Sequence, residues 1–136
     1  MDILPEHLRH GIRCEACWPP SFEAAWEARS RLTEEHVLID ESHYRVRILA
    51  CTVCNQRFVA VFTERIDWDN GEDPQEWYLA PISAQEEATL HAEGEGLSES
   101  AIEAAAAGRY VLRHEYPSAG EPRTSWSPIL LIGPHD

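Results

Sequence analysis

The chain has 136 residues, 43% of them apolar and five of them tryptophan, which is the size and composition of one globular domain and argues against disorder outside the ends. Its 24 acidic against 11 basic residues give a formal charge of -13, a field that opposes approach to a phosphate backbone and suits a basic partner surface. No stretch reaches the roughly 18 consecutive apolar residues of a membrane helix, and residues 1 to 6 have neither a basic nor an apolar leader character; a cytosolic protein is expected.

In chain order, a short lead-in ends at Cys14-Glu15-Ala16-Cys17-Trp18-Pro19-Pro20, whose paired prolines defer any helix. Ser21 then stands where an N-cap belongs. Phe22, Ala25, Trp26, Arg29 and Leu32 recur at helical spacing, which predicts an amphipathic helix over about 22–33 with its Phe and Trp toward the core. Residues 44–50 alternate apolar and basic, and 57–64 are rich in β-formers on both faces, so both read as strands. Between them Cys51-Thr52-Val53-Cys54-Asn55-Gln56 becomes the tip of a β-hairpin, with Asn55 able to adopt a left-handed turn conformation.

An acidic turn over 67–74, containing Asn70-Gly71, leads into a third antiparallel strand at 76–80. Ser83-Ala84-Gln85-Glu86 is a capping-box pattern that opens a helix running to about residue 92. Ser98 caps another, carried through the alanine run at 104–107 and stopped by Gly108. A further strand is expected at 110–112, and the apolar run 129–132 reads as a last short one. The fold class is therefore α+β: an antiparallel hairpin or sheet with two to three flanking helices. One zinc-stabilised domain over 1–136 is expected, with the cysteine-bearing part at about 14–64 and C-terminal helices and strands at about 65–136.

Two Cys-x-x-Cys pairs in a chain expected in a reducing compartment point to metal rather than to disulfides. Cys14, Cys17, Cys51 and Cys54 complete the closed four-sulfur shell of one structural Zn²⁺ ion, which leaves no position for substrate. Four incidental thiols would require two identical spacings by accident. A thiol-disulfide active pair would follow a strand and open a helix, and neither pair does. His7, His10, His36 and His43 lie near the cysteines in sequence and suit zinc chemically, but four sulfurs leave them no vacancy. A pair on a hairpin tip facing a second pair on another loop resembles the zinc ribbon, through Cys14, Cys17, Cys51 and Cys54 and over about 14–18 and 44–64. The departure is the insertion from 18 to 50, far longer than the roughly 15 to 20 residues of a simple ribbon. It leaves the topology open.

The acidic turn offers a second candidate site. A calcium loop needs glycine at position 6 and a glutamate at 12; here glycine falls earlier and Tyr78 occupies the last position, so a plain hairpin turn is the better reading. Asp67, Trp68, Asp69, Glu72 and Asp73, with Trp77, also combine charge with aromatic anchors, as a partner-binding surface does. The competing role for Trp68 and Trp77 is packing in the core behind the turn. Glu34-Glu35 and Glu86-Glu87 are candidate acid and base pairs with no sequence signal for their placement, and Ser125 and Ser127 lack a nucleophile elbow. Arg45, Arg47 and Arg57 make at most a small basic patch.

No catalytic residue is assigned. The expected function is a non-enzymatic module that binds another protein with a basic surface. In size and charge the chain resembles bacterial immunity proteins, a resemblance that implies neutralisation of a basic toxin. A hydrolase or other enzyme using the acidic turn or a histidine is the alternative, and a nucleic-acid-binding zinc ribbon, disfavoured by charge, is the third reading.

Overall fold

The computed structural model describes residues 1–12, 14–69, 71 and 73–135. Six strands form one antiparallel sheet in chain order: β1 (Thr33–Glu41), β2 (Tyr44–Ala50), β3 (Arg57–Glu64), β4 (Gln75–Ile82), β5 (Val111–Tyr116) and β6 (Arg123–Ser127). Helix α1 (Phe22–Ala28) precedes the sheet, and α2 (Ala84–Glu93) and α3 (Glu99–Ala105) lie between β4 and β5. This is the expected α+β class, with every strand paired to its neighbour in sequence.

The centre of the sheet is buried on both faces, which is why β3 reads as nearly continuous apolar sequence. Val59 and Val61 of β3, with Val46, Ile48, Tyr78 and Ala80 of its neighbours, pack against Leu90 of α2 and Ile102 of α3. On the opposite face Phe58, Ala60, Leu49, Leu79, Leu112 and Trp126 pack against Leu4, Ile12, Trp18 and Ala25 from the N-terminal segment. The odd residues of β3 thus serve one core and the even residues the other, as the two-residue period of a strand requires.

All three helices begin as their sequences dictate. Ser21, Ser83 and Ser98 each accept a hydrogen bond from the backbone N–H three residues on, and Glu86 returns the capping box to Ser83 N at 2.8 Å. Arg109 locks that box from the other side. It donates to both carboxylate oxygens of Glu86 at 2.8 and 2.6 Å and to the Pro81 carbonyl at 2.9 Å. That contact, helped by the Ser83 backbone N–H, outweighs the opposing effect of burial and sets the Glu86 carboxyl at about 2, well below its usual range.

Three expectations need correction. The first helix does not reach residue 33: α1 stops at Ala28, a 3-10 turn covers Arg29–Arg31, and Thr33 already begins β1. That strand went unread because Glu34, Glu35, Asp40 and Glu41 obscure its pattern, whereas in the fold the first three of these acids answer arginines. Arg47 meets Glu34 at 3.2 Å and Arg45 meets Asp40 at 3.6 Å across the β1–β2 pair, contacts of the kind that stabilise sheets, and Arg57 reaches Glu35 at 3.0 Å from β3, beyond β2. The last strand is β6 at 123–127 rather than the run 129–132. That run does alternate, with Leu130 and Ile132 buried and Ile129 and Leu131 exposed. It forms no strand; its Ile132 N–H goes to the Glu103 carboxylate at 2.9 Å instead.

Candidate metal centre

The two cysteine pairs sit on loops with one shared backbone device. In the first, Trp18 N donates to Cys14 O at 3.0 Å; in the second, Asn55 N donates to Cys51 O at 2.9 Å. Each bond runs from residue i+4 back to the first cysteine, which curls the loop so that both thiols of a pair point the same way. In the second loop the curl places Asn55 at φ 64°, a left-handed conformation that asparagine tolerates better than most residues. The hairpin closes with Cys51 N donating to Gln56 O at 3.0 Å, so β2 and β3 hold the loop from both sides.

The first pair has no strand of its own and is positioned by packing. Trp18 is fully buried, its ring centroid 5.4 Å from Phe58 and 5.0 Å from Trp126. Trp126 Nε1 donates to Pro20 O at 3.0 Å, and Leu4 N donates to the same carbonyl at 2.8 Å. The buried Arg9 guanidinium donates to the Trp18 carbonyl and reaches Glu15 at 3.1 Å. The residue next to Cys17 is therefore fixed against the start of β3 and the end of β6.

Together these constraints bring the four sulfurs into one cluster. Cys14 Sγ lies 3.9 Å from Cys51 Sγ, and Cys17 Sγ lies 3.7 Å from Cys54 Sγ. All four lie within 4.8 Å of one another. These contacts cross between the two pairs and are far longer than a covalent S–S bond of about 2.05 Å; the cysteines are free thiols. The arrangement can hold a metal ion. Its electrostatics agree: burial, then hydrogen bonds to Cys54, Cys14 and Cys51, push the Cys17 thiol up strongly. At Cys51 burial also raises, but backbone N–H groups of Cys54 and Val53 aimed at the sulfur outweigh it and bring the thiol down to about 7. A cation among the sulfurs removes the mutual penalty of ionising them.

The candidate partner-binding residues fall in two places. Asp67, Trp68, Asp69 and Asp73 share the loop joining β3 to β4, while Glu72 lies outside the described residues. Asp73 Oδ1 accepts from Asp67 N at 2.9 Å, Asp67 Oδ1 from Asp69 N at 3.1 Å, and Gly71 N donates to Asp67 O at 3.0 Å. Carboxylates thus shape the turn. Trp68 projects from it with 85% of its surface exposed. Trp77 does not join it; it lies on β4, half-buried between Phe62 at 4.5 Å and Trp26 at 6.3 Å.

Two features were missed. Arg9 looks like one of eleven surface cations in the sequence, and only the fold reveals its role behind the first cysteine loop. His36, weighed as a ligand that would replace or supplement a sulfur, stands instead beside Glu87 and His91 of α2. The spacing of Glu87 and His91, four apart on one helix, was the available signal. Glu34, Glu35, Glu86 and Glu87, considered as acid and base pairs, each meet an arginine.

No helix among the described residues is long and apolar enough to cross a membrane. Geometry alone defines the class, an α+β protein with a cluster of four cysteines, able to hold a metal ion, at one end of its sheet. No protein-family model matches the chain, and no curated protein or solved structure matches it either.

Proposed function

We propose that this chain is a zinc-stabilised protein-binding module whose acidic β3–β4 loop docks on a basic partner. The metal is read as zinc because a tetrahedral ion with Zn–S bonds of about 2.3 Å requires sulfur–sulfur edges of about 3.8 Å. The cross-pair distances of 3.9 and 3.7 Å bracket that edge. Four sulfurs close the shell, so the ion's role is to tie the N-terminal segment to the β2–β3 hairpin, in the manner of a zinc ribbon carrying a long insertion.

The observation that carries the docking reading is Trp68, 85% exposed on a loop that also bears Asp67, Asp69 and Asp73. Large aromatic side chains are rarely left in water without use, and tryptophan is enriched among residues that dominate interface energetics. The surrounding carboxylates and the charge of -13 steer a cationic surface toward it. Neutralisation of a basic toxin, as by bacterial immunity proteins, is the form of this function that the charge suits best.

The test begins with isolation of the stoichiometric partner from the native host. Its affinity is then compared between the native chain, Trp68→Ala and an Asp67→Asn, Asp69→Asn, Asp73→Asn triple variant. The reading expects a basic partner, loss of at least about 2 kcal/mol with Trp68→Ala, and a slower association with the triple variant that matches the native chain at high salt. Unchanged affinity in both variants overturns it.

A further inference from the structure

We propose that His36, Glu87 and His91 form a second metal site, for a first-row transition dication such as zinc, with coordination positions left open to solvent. Glu87 and His91 lie one turn apart on α2 and therefore share a face; His91 Nε2 and Glu87 Oε2 are 3.0 Å apart. The His36 ring stands over that of His91 with centroids 4.6 Å apart and planes at 81°. One ligand atom from each of the three side chains falls within 4.8 Å of the others. Zinc with nitrogen and oxygen ligands at about 2.0 to 2.2 Å needs edges of about 3.4 Å, a difference that rotation of two exposed imidazoles closes.

Backbone architecture aims His36 at this place. The register of β1 against β2 skips Glu35, pairing Glu34 with Leu49 and His36 with Ile48. Simple alternation would have put His36 on the same face as Glu34, turned away from α2. The extra residue reverses it, and such bulges commonly re-aim a side chain at a sheet edge.

The carboxylate is also held from behind. Arg57 Nε sits 3.3 Å from Glu87 Oε1 and its NH1 sits 3.0 Å from Glu35 Oε1, so Oε2 is the oxygen turned toward the imidazoles. Outer groups that fix a ligand in this way are the usual support of a metal site. The Arg57 charge opposes a bound dication, but Glu35 and Glu87 outweigh it, and with neutral imidazoles the group carries one net negative charge. Two imidazoles and one carboxylate favour zinc, copper, nickel or iron over calcium or magnesium. Three protein ligands leave at least one position for water or for a group from another molecule.

The competing account is an ordinary His91–Glu87 ion pair with His36 packed beside it. Metal titration separates the two. Protein retaining its cysteine-held metal is titrated with Co(II) by calorimetry and visible spectroscopy, with metal content measured after gel filtration. The proposal expects one further equivalent, with a spectrum lacking the sulfur-to-metal bands of a thiolate site. His36→Ala and His91→Ala should each weaken that equivalent by more than the roughly 10- to 100-fold loss typical of an outer-shell group. Cysteine-bound metal and thermal midpoint should be unchanged. Absence of a further equivalent in large excess of Co(II), or one that both variants bind as the native chain does, overturns it.

Discussion

The two ends of β3 are built on opposite principles. At Arg57 the strand emerges from a loop whose sulfurs are cross-braced to the N-terminal segment, with Trp18 and Phe58 fully buried beside it. At Glu64 it runs into a loop held by its own carboxylates and backbone, from which Trp68 stands almost wholly in solvent. One end spends its unusual residues on cohesion and the other presents them to solvent. A single strand carries both, with the sheet core between them, from Phe58 to Val61, buried on both faces.

The comparison breaks most violently at the sulfurs. On the proposed zinc reading, Cys51→Ser or treatment with a chelator should unfold or aggregate the protein, since structural zinc in small peptides is worth roughly 10 to 16 kcal/mol, comparable to the whole stability of a domain. Circular dichroism alongside metal content checks this; a cooperative melt near the native temperature without metal would refute it.

Next comes the Arg109–Glu86 lock, near the cysteine end through its bond to Pro81. Glu86→Gln should cost about 2 kcal/mol, the range for hydrogen bonds to a charged group. The sign with pH follows from the lowered carboxyl, about 2 against 4.5 in an ordinary setting. A depressed folded-state value gives stabilisation that is complete above about 4.5 and fades as pH falls toward 2. Urea midpoints of the native chain and Glu86→Gln should therefore converge over that window; a gap that stays constant with pH removes the assignment.

Asn55→Ala is a gentler probe of the same end. Its φ of 64° should cost a β-carbon-bearing residue about 1 kcal/mol, with metal still bound, while Asn55→Gly should cost nothing or stabilise slightly. Thermal denaturation of the two variants side by side reads the order. The smallest effect belongs to the far end of β3: Trp68→Ala should change stability by less than about 0.5 kcal/mol. Should it melt the domain, the loop is a structural element and the contrast between the ends disappears.

Much of the short-range chemistry was legible in the residues, although the end of α1 was not. The serine caps, the capping box at Ser83–Glu86, the cysteine-tipped hairpin and the turn at Asn55 all depend on neighbours within a few positions. Pairing across the chain was not. β1 carries too much acid to look like a strand until Arg45 and Arg47 on β2 and Arg57 on β3 are seen to meet it, and β6 offers only Arg123-Thr124-Ser125-Trp126-Ser127, short and polar. The run 129–132 has the better strand composition, but its Ile132 N–H is taken by Glu103.

Sequence by itself thus determined which four cysteines pair up as metal-binding candidates, the hairpin that presents half of them and the sign of the surface charge, because spacing and residue type alone specify them. The tertiary structure decided which arginines face which acids, that Trp77 sits apart from the loop bearing Trp68, and that one extra residue in β1 turns His36 toward α2. Those outcomes depend on register, and a one-residue shift between strands exchanges the faces of the sheet, so no local pattern could have set them.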